Sequence, residues 1–134
     1  MKITFIAHSA FLVEWDKFYT LFDYVYEPDY TGTLPPLDPQ KPLLVFSSHS
    51  HEDHFDGKVF GLLEQYPLTQ FFVSRDTRLT ERRRKWLGIS DEAFARTTVL
   101  RPDSILLTEA AGEELSVRAI KSTDIGNAYL LRAE

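Results

Sequence analysis

A chain of 134 residues that is 43% hydrophobic and 13% aromatic can bury one core but not two, and is too apolar to be disordered. It contains no cysteine, which excludes disulfides, thiolate zinc sites and cysteine nucleophiles, so any metal must be held by nitrogen and oxygen. The net charge of -5 gives no electrostatic reason to expect nucleic acid or an anionic membrane as partner.

The opening Met1-Lys2-Ile3-Thr4-Phe5 reads as a strand rather than a signal peptide, and no apolar stretch approaches the ~18 residues of a membrane span, so a cytoplasmic protein is expected. From Ile3 to Asp23 apolar residues alternate: Ile3, Phe5, Ala7; then Phe11, Val13, Trp15; then Phe18, Thr20, Phe22. With Asp16-Lys17 as a turn, this predicts an antiparallel meander. Residues 24 to 42 carry five prolines and a glycine, from Pro28 through Gly32 to Pro42, and predict an aromatic-rich loop that is either a wall of a binding site or a structural excursion. Trp15, Tyr24, Tyr26 and Tyr30 fit either a pocket lining or core.

Leu43-Leu44-Val45-Phe46 lacks polar alternation, as expected of a strand covered on both faces. Val59, Leu62, Leu63 and Tyr66 form one helical stripe, predicting a helix from about Lys58 to Tyr66 that Pro67 stops. Gln70 to Val73 is the next strand. A second helix is expected over Thr77 to Leu87 with Asp76 as its N-cap and Gly88 as its stop, followed by a helical turn at Ser90 to Ala95. The basic run Arg82-Arg83-Arg84-Lys85 lies on that helix, and beside Glu81 it reads as a solvated face ahead of an anion-binding patch. Thr97 to Leu100, Ser104 to Thr108, Leu115 to Lys121 and Asn127 to Arg132 return to period two, with turns at Arg101-Pro102-Asp103, Ala111-Gly112-Glu113 and Asp124-Ile125-Gly126. This order predicts a single α+β (α/β layered) domain, with a mostly antiparallel or mixed β-sheet and helices on one face.

Directly after the buried strand stand His49, His51, Asp53 and His54, four ligand-type residues within six positions. A strand fixes the backbone while the loop beyond it aims imidazoles and a carboxylate at a common point. Such donors suit zinc, iron(II), manganese or nickel. His8 and Asp23 are expected near the same end of the sheet. Asp23 then either orients a ligating histidine or closes a turn, and His8 either touches substrate or metal or sits between two strands.

Ser48-His49-Ser50-His51-Glu52-Asp53-His54 resembles the His-x-His-x-Asp-His signature of the metallo-β-lactamase-fold hydrolases. The stretch from Phe5 to Val13, with Leu21-Phe22-Asp23, is similar to the opening hairpins of the lactonase-like branch. The resemblance implies that His49 and His51 help hold one metal and Asp53 and His54 a second. It also implies that a metal-bound hydroxide attacks an ester, lactone, amide or phosphodiester, with Asp53 orienting it or carrying its proton. The cofactor it implies is a divalent metal, zinc first, in up to two ions.

The chain departs from that pattern because it has no histidine after His54. Ser122-Thr123-Asp124-Ile125-Gly126 is similar to a variant of a later ligand loop, so Asp124 is either a ligand or the cap of a turn. The resemblance therefore implies one half, the N-terminal one, of the αββα sandwich, with weak metal binding and little activity alone. The expected partners are a small-molecule substrate and either a second copy or a C-terminal half covering a bare sheet face. The alternative to an enzyme is a non-catalytic half-domain that pairs through that face.

Overall fold

The structure, a computed structural model, describes residues 1–25, 34–51, 54–122 and 126–133. Six strands form one sheet in chain order: β1 Lys2–Ala7, β2 Ala10–Glu14, β3 Tyr19–Phe22, β4 Leu43–Ser47, β5 Thr69–Ser74 and β6 Thr97–Leu100. The first three strands form the expected antiparallel meander, and β3 through β6 run parallel. Parallel neighbours need crossovers, and the helical segments supply two of them. A 3₁₀ turn at Gly57–Gly61 leads into α1 Leu62–Gln65 between β4 and β5, and α2 Glu81–Trp86 and α3 Asp91–Ala95 lie between β5 and β6.

A second, antiparallel sheet of three strands follows: β7 Ile105–Ala110, β8 Glu113–Lys121 and β9 Asn127–Ala133. Its first hairpin closes through two residues, Ala111 at φ 52° and Gly112 at φ 80°, the positive angles that a tight primed turn requires.

Two cores lie on opposite faces of the six-stranded sheet. On one, Leu12, Leu21, Leu43, Val45, Phe71 and Val73 meet Val59, Phe60, Leu62 and Leu63 of the helical side. On the other, Leu44, Phe46, Phe72 and Leu100 meet Ala110, Leu115, Val117 and Ala119 of the second sheet. The strand β4 is buried at all five positions because it is covered from both sides, which is why its sequence shows no alternation. Each fully buried Phe or Leu contributes roughly 1.5–3 kcal/mol.

Two expectations are corrected. The first helix begins as a 3₁₀ turn capped by Asp56, whose side chain accepts from Lys58 N, and only its last four residues are α-helical. The second helix starts at Glu81, not Thr77. Arg78 adopts φ +52°, a left-handed angle that interrupts any helix entering from Thr77, and Thr80 supplies the N-cap by accepting from Arg83 N. Asp76 is therefore no N-cap of this helix. The second sheet of this same chain covers the main sheet over β3 to β6.

Of the aromatic residues considered for a pocket, Trp15 stacks on Phe18 and donates from Nε1 to Thr20 Oγ1, and Tyr24 is buried. Tyr26 and Tyr30, with the rest of residues 26–33 of the proline-rich loop, lie outside the described residues.

Candidate metal centre

Parallel strands align their carboxyl ends, and the residues that follow them gather on one rim. Asp23 follows β3, Ser48 to His54 follow β4, and Asp76 lies just beyond β5. The register places Phe22 beside Phe46 and Ser47 beside Val73, which brings these three segments side by side.

Asp23 is the hub. Its Oδ1 accepts from Ser48 N at 2.7 Å, and its Oδ2 accepts from Ser48 Oγ and from His54 Nδ1, both at 2.7 Å. Because the Ser48 hydroxyl proton is directed to the carboxylate, the 2.8 Å contact between Ser48 Oγ and His49 Nδ1 requires the proton on the ring nitrogen. One carboxylate thus assigns the tautomer of two histidines. In their neutral forms both carry the proton on Nδ1, which makes Nε2 the nitrogen that bears the lone pair, the tautomer in which imidazole ligates a metal through Nε2.

The rings are gathered. His49 and His54 have centroids 3.9 Å apart, His49 and His51 4.6 Å, and His8 and His54 6.4 Å. The turn is closed by His54 N and Phe55 N, which donate to His51 O at 2.8 and 2.9 Å. Burial, then the neighbouring His54, lowers the pKa of His49 from the ordinary imidazole value, with Asp23 opposing, so that His49 favours its neutral, ligating form. Both His8, at φ +52°, and Asp23, at φ +50°, hold left-handed angles that non-glycine residues avoid. Such strain clusters where a structure needs a side chain at one point.

The loop is also held from behind. Ser50 N donates to Asp76 Oδ2 at 2.8 Å, and Asp76 Oδ1 accepts from Ser74 Oγ. Burial works against ionisation of Asp76, but hydrogen bonds from Ser74 and Ser50 outweigh it and hold the carboxyl below its usual range. From the second sheet, Asn127 N donates to Ser48 O at 2.7 Å and Tyr129 Oη to Ser47 O at 2.8 Å. Burial pushes the Tyr129 phenol well above its ordinary pKa, which keeps it a donor. Gly126, at φ +85°, lies against the loop so closely that a Cβ there would fall on Ser48 O and within 2.5 Å of His49 Cβ.

The structure therefore brings together five of the seven residues singled out from sequence: His8, Asp23, His49, His51 and His54. Asp53 and Asp124 lie outside the described residues. Among the described residues no three His, Asp or Glu groups enclose a point suited to an ion. The donor chemistry of the loop nevertheless fits a metal, with two imidazoles whose Nδ1 is held by the Asp23 network. Sequence reasoning assigned no role to Ser48, Asn127 or Tyr129 and misassigned Asp76. The parallel register of β4 and β5 is the signal that places Asp76 beside the loop.

No helix of the described residues is long and apolar enough to cross a membrane. No protein-family model matches the chain, and no curated protein does. Solved structures match it by shape. CmlA, a diiron beta-hydroxylase from Streptomyces venezuelae, superposes with TM-score 0.55 at 14% identity, over 97% of this chain and 27% of that one. A point mutant of CmlA beta-hydroxylase gives 0.59 at 13% identity, over 97% and 28%. A protein of unknown function from Enterococcus faecalis gives 0.53 at 15%, over 95% and 38%. The chain spans well under half the length of each of these structures. At these identities the likeness shows the fold alone, a mixed α+β half-domain of the metallo-β-lactamase type.

Proposed function

We propose that this chain carries the metal-holding loop of a metal-dependent hydrolase, in which His49 and His51 serve one ion and Asp53 and His54 a second. The observation that carries the reading is the Asp23 network, which commits Nδ1 of His49 and His54 and so sets the tautomer in which each would ligate through Nε2. A divalent ion there supplies Lewis acidity and lowers the pKa of a water bound to it. Asp53 orients the attacking water and takes its proton, Asp23 fixes the His54 and His49 rings, and His8, exposed at the rim, faces a small-molecule substrate. Asp124 is a further candidate ligand. The donor set is nitrogen and oxygen, so zinc, manganese, iron and nickel all suit it, and CmlA is described as a diiron enzyme.

Because the chain has no histidine beyond His54, we expect one ion to bind weakly and a second more weakly still. Calorimetric titration of the chelator-treated chain with zinc, manganese and iron(II) tests this, alongside hydrolysis of a nitrophenyl ester, a lactone and a nitrophenyl phosphodiester. Tight binding of two ions would overturn the expectation of weak binding. Binding unchanged by a His49→Ala, His54→Ala double variant would overturn the metal site itself.

A second reading, a half-domain that pairs with a second copy or another chain, is favoured by one observation. Ile3, Phe5 and Phe11 on β1 and β2 are 64%, 60% and 42% exposed on a sheet face that is buried further along.

A further inference from the structure

The basic run on α2 divides in two. Arg84 turns inward, where its guanidinium meets Glu81 and Asp91 at 2.5 Å each and donates to Ile89 O at 3.2 Å, and Lys85 lies 3.7 Å from Glu81. Arg82 and Arg83 do neither. With Arg78 and Thr80 they surround Trp86, which is 80% exposed, in an open cleft of about 610 Å³. No carboxylate lines that cleft, and among the described residues none of its three arginines has an ion-pair partner. Arg83 Nε is buried with no hydrogen-bond partner. Three cations left unneutralised in a chain of net charge -5 mark a place where an anion is stabilised.

One feature ties the cleft to the histidine loop. A second cleft of about 510 Å³ shares Arg83 and Trp86 with the first and reaches Ser50, Phe55 and Asp56 at the loop itself, so the one carboxylate of the joined site lines its loop end and not the end that holds Arg78 and Arg82. Arg78 holds φ +52° as the left-handed C-cap of the 3₁₀ turn Arg75–Thr77, its N–H donating to Arg75 O at 3.0 Å, an angle at which glycine would be free of strain.

We propose that Arg78, Arg82 and Arg83 hold the anionic group of the substrate, a carboxylate or phosphate, while Trp86 packs on its flat apolar body and its reactive end lies at the histidine loop. This rests on the metal-hydrolase reading for the role of the loop, but the anion site stands on its own residues. The joined clefts have the size of a small-molecule site. A long polyanion would extend beyond them onto a surface of net negative charge. Guanidinium forks recognise both oxyanions, and an exposed indole offers contact area at little conformational cost.

The test is binding of phenyl phosphate and of benzoate to the chelator-treated chain, followed by calorimetry and by Trp86 fluorescence with Trp86→Phe as the blank. Binding that weakens at high salt is expected, and the tighter of the two probes distinguishes phosphate from carboxylate. Arg83→Gln and Arg78→Gly should each weaken it by about tenfold or more, while Arg118→Gln, on the exposed face of β8, leaves it unchanged. Arg78→Gly relieves a strained angle, so its melting temperature should hold or rise, and lost binding there is not lost folding. Wild-type affinity in both cleft variants would overturn the proposal. So would a single-stranded oligonucleotide binding about 100-fold more tightly than phenyl phosphate, since the patch would then read a polyanion. Anion binding in a chain that takes up no metal would overturn the metal reading and leave this one standing. Metal uptake without anion binding would do the reverse.

Discussion

Asp23 has no local reason to sit at φ +50°, where a β-carbon crowds the backbone, yet it makes three hydrogen bonds from there. Asp23→Asn tests what the charge does. An amide keeps the shape, but its nitrogen donates and cannot accept, so the network can no longer commit both imidazole Nδ1 protons. Metal affinity should fall by roughly 10–100-fold, the usual effect of removing a carboxylate behind a ligating histidine. Calorimetric titration reads the affinity, and a circular-dichroism melt separates it from unfolding. Unchanged affinity would mean that the carboxylate only closes a turn. At this scale the histidines were legible because they are neighbours in the chain, and Asp23 was legible because it ends an apolar run. Asp76 was not, since it meets Ser50 across 26 residues through a strand register that no local pattern encodes. Read locally, an aspartate before a helix is a cap.

The same competition between local signal and long-range pairing runs through the elements. The helix over Thr77 to Leu87 had the right composition, but Arg78 breaks the backbone and Thr80 is the residue whose hydroxyl finds a free N–H. The turn before β9 carries the opposite lesson. Gly126 looks like an ordinary turn glycine, and its φ of +85° accounts for that much. Its second role is steric, because the turn presses on Ser48 and His49 from the second sheet while Asn127 N binds Ser48 O. Gly126→Ala therefore meets two penalties, a left-handed angle and a clash with backbone that has no flexible end to move. We expect a loss of stability of about 1–3 kcal/mol, together with displacement of the histidine loop. Urea unfolding gives the first, and the His49 and His54 ring signals in NMR give the second. A variant as stable as the parent with unmoved ring signals would show that the turn does not brace the loop.

Over the whole molecule, one row of rings crosses five strands in register: Phe5 beside Phe11, Phe11 beside Phe22, Phe22 beside Phe46, and Phe46 beside Phe72. Phe46 and Phe72 are 0% and 1% exposed beneath the second sheet, Phe22 is intermediate, and Phe11 and Phe5 are in the open. The alternation that revealed these strands could not reveal where their cover ends, because period two gives the face and not its partner. On the main sheet the exposed strip is contiguous, with Ile3 two residues from Phe5 on the same face and the Phe5 and Phe11 rings 5.4 Å apart. An apolar strip at the end of an otherwise closed face is where a second copy or another chain would continue the layer. The expected outcome is reversible self-association, seen as a concentration-dependent mass in light scattering, that Phe5→Lys abolishes without lowering the melting temperature, since Phe5 is already exposed. A monomer at every concentration would remove the second copy as occupant. If Phe5→Lys instead lowered stability in a monomeric chain, the strip would be part of the chain's own core.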